Sequence, residues 1–399
     1  MKKNHFWQSA LFASALLFGF TACSSDDNGA PQQNTNQERT LTIALNLGQS
    51  TPTTMRSTTI TTDPTGEATI NSVIVAIFSN DTPVKIEEVT STSGTITGTT
   101  INKWDNSGQK ITVAAQGVTA NDSVFVVVNP GATSKATLLA AANKSAFETT
   151  ALGIDEALEG ATAGEEKETG FTMLGKAALS SGSGDITYTA SLNVYRMVSK
   201  VSLESVTSDF TGTIYDGYTF TITEIYMDNV PSAHPYNFIK NIDPTATPYT
   251  YHTGRTGGTD VKAYLSTGTV SHATSTTTIG NKYYFYTMPN AEDAKAKATR
   301  LVLKGTFEKG TTSATVYYPI YLNYDNTNQT YASNADTPYE GHVFAREAKK
   351  IYANDWYKVS AVIKSIGTTD PDQDLDPQAV QVQITVAAWN PIAQTATFQ

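Results

Sequence analysis

Two segments of one design lie near opposite ends of the chain, Leu41-Thr42-Ile43-Ala44-Leu45-Asn46-Leu47 and Val380-Gln381-Val382-Gln383-Ile384-Thr385-Val386. Each sets aliphatic side chains at i, i+2, i+4 and i+6. Strict alternation is the period of a half-buried β-strand, because successive side chains point to opposite faces of a sheet. Either segment therefore suits the same kind of groove. Between Cys23 and Val73 the only basic residues are Arg39 and Arg56, and Arg56 lies just past the front segment. A cut after Arg56 detaches the strand carrying Leu41, Ile43, Leu45 and Leu47, whereas a cut after Arg39 leaves it attached. The vacated groove would then accept the back strand of another copy, which is a route to polymerisation by strand exchange. Burial of Val380, Val382, Ile384 and Val386 is worth roughly 1.5 to 3 kcal/mol each, so about 6 to 12 kcal/mol together before ordering costs. Donor end and acceptor groove are different surfaces, so the contact is heterologous and yields filaments, not closed dimers.

The first residues point outside the cell. Lys2 and Lys3 form a basic start, and Ala10 to Phe20 form an apolar stretch shorter than the roughly 20 residues that span a bilayer. Residues 1–22 therefore make a secretory signal. Cys23, the only cysteine, follows Thr21 and Ala22, as in a bacterial lipoprotein signal, and would carry the acyl group, a palmitate or similar chain, that anchors an outer-membrane precursor. With that thiol used, no disulfide can form, and stability must come from core burial. Residues 23–39, with Asp26, Asp27 and a run of Asn and Gln, make a disordered tether. Ser24-Ser25-Asp26-Asp27 is similar to the acidic surface-export signal of Bacteroidota lipoproteins.

A net charge of -10 argues against nucleic acid or an anionic membrane surface as partner, since both need basic patches. Charged residues make up only 16% of the chain, and short alternating runs are punctuated by Gly, Pro and Asn, an all-β profile. Strands are expected over 70–78, 109–115, 123–129, 185–194, 200–205, 218–227, 282–288, 300–307, 313–322, 356–363 and 379–386. Ser123 to Val128 is apolar nearly throughout, as in a strand covered on both faces. Helix is expected at 135–149 and 154–158. Ser180-Ser181-Gly182-Ser183-Gly184 interrupts the pattern, so two tandem β-sandwich domains are expected, over 40–190 and 191–399, with a short helical insertion in the first.

The chain resembles the fimbrillins, the shaft and accessory subunits of Bacteroidota type V fimbriae. The resemblance rests on the apolar strand ending in Phe78, on Val126-Val127-Val128-Asn129, on Phe171-Thr172-Met173-Leu174-Gly175 and on Val194-Tyr195-Arg196-Met197-Val198-Ser199-Lys200-Val201. It continues through Ile225-Tyr226-Met227-Asp228-Asn229-Val230-Pro231, Tyr284-Phe285-Tyr286-Thr287-Met288-Pro289-Asn290 and the end from Val382 to Trp389. The order of these pieces carries the likeness. It implies two transthyretin-like sandwiches, lipoprotein export, removal of the first strand by an arginine-specific protease, and head-to-tail assembly with other copies or related subunits. The donor would be a C-terminal strand running from Val380 through Trp389 to Phe398.

Enzyme chemistry finds no foothold. His234, His252, His272 and His342 show no metal-motif spacing. Glu165-Glu166-Lys167-Glu168 reads as a solvated loop and not a glycosidase pair. Asp370, Asp372, Asp374 and Asp376 alternate like a calcium loop, but Leu375 and Gln381 stand where such a loop has Gly and Glu. A charged, Pro-flanked hinge that keeps the next strand mobile is the expectation there. Thr256-Gly257-Gly258-Thr259 opens no helix and gives no phosphate cradle. No cofactor, metal or catalytic residue is assigned. Tyr283, Tyr284, Tyr286, Tyr317 and Tyr318 are expected in cores and cross-strand pairs, as are Trp104, Trp356 and Trp389. The alternative is a fimbrial tip adhesin or a monomeric glycan-binding lipoprotein, which would show these rings as an exposed platform.

Overall fold

Alternation along the chain translates directly into buried and half-buried rows in the computed structural model. It describes residues 38–46, 67, 69–92, 103–105, 110–120, 122–181, 187–236, 250–275, 283–292, 294–322, 329–331, 349–375 and 379–388. The expected tether and Arg39 overlap the first strand, β1 (Glu38–Asn46). Then come β2 (Val73–Ser79), β3 (Thr82–Thr92), β4 (Lys103–Asp105), β5 (Lys110–Gln116) and β6 (Ser123–Val128). After them run α1 (Ala132–Leu139), α2 (Lys144–Thr149), β7 (Ala151–Gly153), α3 (Ile154–Leu158), β8 (Met173–Ala178), β9 (Ser180–Ser181), β10 (Thr187–Asn193) and β11 (Tyr195–Arg196).

These strands form one sheet in the order β11-β8-β6-β2-β3-β4-β5-β1-β10-β9. β3 turns its corner: Thr82 to Val89 pair with β2, and Thr90 to Thr92 pair with β4. The two wings enclose a core of Val73, Val75, Ile77, Ile111, Val113, Val124, Val126, Tyr188 and Leu192. The opposite residues of the same strands, Ile74, Ala76, Phe78, Phe125 and Val127, are buried in a second core with Leu138, Phe147 and Leu158 from the helices. β2 and β6 are therefore covered on both faces, which is why they are continuously apolar. The single helix expected at 135–149 is two helices. Asn143 breaks it by accepting the amide of Ala146 at 2.7 Å as the N-cap of α2.

The remaining strands are β12 (Ser199–Ser208), β13 (Thr219–Asp228), β14 (Val230–Pro231), β15 (Ala233–Pro235), β16 (Tyr251–His252), β17 (His272–Ala273) and β18 (Tyr283–Thr287). They end with β19 (Arg300–Lys309), β20 (Thr312–Tyr321), β21 (Gln329–Tyr331), β22 (Asp355–Ile363) and β23 (Val380–Ala388). One sheet runs β18-β12-β22-β23-β21 and a second β17-β13-β19-β20. Val201, Leu203, Val359 and Ile384 from the first and Phe220, Ile225, Leu301 and Ile320 from the second share one buried cluster. β22 alternates buried and half-buried without a break. The fold is all-β with sandwich-like sheet packing.

Candidate assembly site

β1 is an internal strand. It pairs antiparallel with β5 and parallel with β10, seven residues on each side. Leu41 lies in register with Val113 and Tyr188, Ile43 with Ile111 and Ala190, and Leu45 with Leu192. These register partners are all buried. Withdrawal of β1 would leave two facing rows of backbone donors and acceptors beside an apolar floor, the kind of slot that an added strand fills. Leu47, Cys23 and Arg56 lie outside the described residues.

The other predicted partner, β23, is seated in its own subunit. It pairs with β22 from Asp355↔Ala388 to Ile363↔Val380 and with β21 from Gln329↔Ile384 to Tyr331↔Val386. Ile384 is buried and Val380 and Val382 pack against the same core. The burial energy expected from this strand is thus already realised at home, so transfer to a neighbour exchanges like for like and yields no net gain of that size. Trp389 and Phe398 lie outside the described residues.

The stretch ahead of β23 departs from the expected loose hinge. The amides of Lys364 and Ser365 both donate to the Ala379 carbonyl, closing the base of an excursion that runs over the second sheet. Thr368 and Tyr317 exchange backbone hydrogen bonds, and the Tyr318 hydroxyl donates to the Ser365 carbonyl. Asp372 takes Arg255 at 3.1 Å and Arg300 at 2.8 Å, and Asp374 takes Lys295 at 2.9 Å. Burial pushes the Asp372 carboxyl up, but hydrogen bonds from Arg300 and Arg255 outweigh it and hold the group below its ordinary value. Lys295 does the same for Asp374. Asp372 and Asp374 thus strap this stretch to the second sheet. Asp376 lies outside the described residues, and no group of three metal-ligating side chains occurs among them.

Of the other chemical candidates, His342 lies outside the described residues. His234 is buried beside its neighbour's carbonyl, His252 bonds the Asp260 carbonyl at 3.0 Å, and His272 bonds the Tyr283 hydroxyl. Glu166, expected in a solvated loop, is buried and accepts the Tyr286 amide at 2.9 Å. Thr256 closes on the buried carboxylate of Glu224 at 2.7 Å. Tyr283, Tyr284, Tyr286 and Tyr318 are buried. Burial raises Tyr318 above the ordinary phenol range.

No protein-family profile matches the chain. A stretch of 85 residues, 21% of the chain, is 34% identical to the major fimbrium subunit FimA type-2 of Porphyromonas gingivalis and covers 20% of that protein. The chain thus matches about a fifth of the length of that curated relative. A solved fimbrilin of Porphyromonas gingivalis superposes with a TM-score of 0.60 at 16% identity, covering 89% of this chain and 98% of that one. A candidate cell adhesion protein of Parabacteroides distasonis gives 0.59 at 16% identity over 89% and 100% of the two chains. One of Bacteroides eggerthii gives 0.57 at 17% identity over 90% and 98%. The chain thus shares its fold with solved fimbrilin and cell adhesion proteins of the Bacteroidota, and over 85 residues it is similar in sequence to a fimbrial subunit.

Proposed function

We propose that the protein is a structural subunit of a cell-surface fimbria that assembles by strand exchange. Its precursor is anchored in the outer membrane through lipid on Cys23, and an arginine-specific protease cuts after Arg56, freeing the body from its anchor. β1 then leaves, and the C-terminal segment from Val380 to Phe398 of another copy takes its place between β5 and β10. The observation that carries this reading is the position of β1, paired along both edges and followed in sequence by Arg56. The seating of β23 adds a condition: the donor must exchange its own sheet for the neighbour's groove. The burial of Tyr283, Tyr284, Tyr286 and Tyr318 speaks against a sugar-stacking platform on these strands.

Limited digestion with an arginine-specific protease, N-terminal mapping and electron microscopy test the proposal. It expects a new terminus at Ser57, loss of the front strand and filaments that run as ladders on unboiled denaturing gels. A cut body that stays monomeric at high concentration contradicts it.

A further inference from the structure

Strand exchange makes no use of a charged cluster buried where the β11–β12 turn meets the segment entering β2. Glu67 is 3% exposed, and its carboxylate takes Lys200 Nζ at 2.9 Å and the Tyr286 hydroxyl at 2.7 Å. Its backbone carbonyl accepts from Arg196 Nε at 3.3 Å. Lys200 is 1% exposed and lies between the rings of Tyr284 and Trp356, 4.6 and 4.5 Å from their centroids. A few residues on, Asn129 grips the same segment. Its side-chain oxygen accepts the Asn71 and Ser72 amides at 2.7 and 3.3 Å, and its side-chain nitrogen donates to the Thr69 carbonyl at 2.7 Å. Asn129 sits at a φ of 49°, a left-handed conformation that Asn tolerates better than most residues.

We propose that Glu67 and Asn129 form a clasp that divides the chain into a removable part ahead of Glu67 and a permanent part behind it. This rests on the reading of β1 as a strand that leaves. Among the described residues β1 pairs with β5 and β10 alone, whereas Glu67 is held by β11, β12 and β18, so withdrawal of β1 takes no ladder partner from the clasp. β2 follows immediately and contributes side chains to both cores. Without a stop, a chain cut at Arg56 could unzip from its new end into β2. With one, the segment held at Glu67 and from Thr69 to Ser72 stays fixed after the cut. Loosening it would break the buried Lys200–Glu67 ion pair and the hydrogen bonds that Tyr286 and Arg196 make to Glu67, which makes the stop stiff.

The test is hydrogen exchange of peptides covering residues 69–79 in the full chain, before and after cleavage at Arg56, for wild type, Glu67→Gln and Asn129→Gly. Glu67→Gln keeps the shape and removes the charge; Asn129→Gly keeps the backbone conformation and removes the grip. In the uncut chain each variant should exchange these amides about tenfold faster than wild type, with β19 peptides unchanged as the control for folding. After cleavage, wild type should hold its protection, while the variants should also become cleavable at Lys85 by added trypsin, which cuts after lysine as well as arginine. Wild-type exchange in both variants, cut or uncut, overturns the clasp. Failure of wild type to release β1 on cutting would count against strand exchange alone, and the clasp would still stand or fall on exchange in the uncut chains.

Discussion

Asp372 and Arg300 meet at 2.8 Å on the face of the β13-β19-β20 sheet that is turned away from its core. Arg300 is almost fully buried there and also pairs with Asp228, so one guanidinium ties the strap to the sheet. The Asp372 side chain is 58% exposed, and solvent screening limits the worth of its pairs to about 1 kcal/mol or less. Asp372→Asn should lower stability by that amount in urea unfolding. Asp228→Ala, which removes a buried partner, should cost about 3 kcal/mol.

The same pair sets a pH dependence. Asp372 and Asp374 have folded-state values below the ordinary 3.8, so their contribution is complete above that value and is lost as pH falls through the lower folded ones. Urea midpoints measured from about pH 6 down to about pH 3 should fall more steeply for wild type than for Asp372→Asn. Equal slopes would remove the strap's ionic character.

Phe147 connects the helical layer to β2 and β6, with ring centroids 5.6 Å from Phe78 and 5.8 Å from Phe125. It is fully buried, so Phe147→Ala should cost about 3 to 5 kcal/mol. Ile214 is 86% exposed, and Ile214→Ala should change stability by less than about 0.5 kcal/mol. Chemical denaturation of the two variants checks both numbers.

What the sequence revealed follows from period and range. β22 and β23 were legible because each alternates cleanly, and β6 because both of its faces are buried. β3 was not, since Pro83, Lys85, Glu87 and Glu88 hide the alternation of a strand that passes around a corner between two wings. The helix break at Asn143 was a capping residue in plain view, outvoted by the apolar pattern around it. The strap looked like a hinge because Arg255, Lys295 and Arg300, which hold it, lie far away in sequence. Glu67 carried no local signal at all, although a lysine inside the apolar run around Lys200 hinted at a buried carboxylate somewhere.

Processing after Arg56 should separate from processing after Arg39. Arg56→Ala should give a stable monomer that never polymerises, while Arg39→Ala should assemble like wild type. Gel ladders after protease treatment read this out, and the reverse pattern would assign activation to the other arginine.

Donation by β23 requires that it leave β22. Ser360 and Gln383 are register partners on these antiparallel strands, and such pairs fall within disulfide reach. In a Cys23→Ser background, the Ser360→Cys/Gln383→Cys chain should polymerise when reduced and stop when oxidised. Undiminished assembly of the oxidised form would exclude β23 and transfer the donor role to the segment from Trp389 to Phe398.

The central claim is that β1 must vacate its groove. Thr42 on β1 and Thr112 on β5 are register partners, so cysteines at both positions can staple the strand in place. The measurement is filament formation by the Thr42→Cys/Thr112→Cys chain, in the Cys23→Ser background, after cleavage at Arg56, with and without reductant. Strand exchange predicts monomers while the staple is oxidised and filaments once it is reduced; filaments of equal length under both conditions would contradict it.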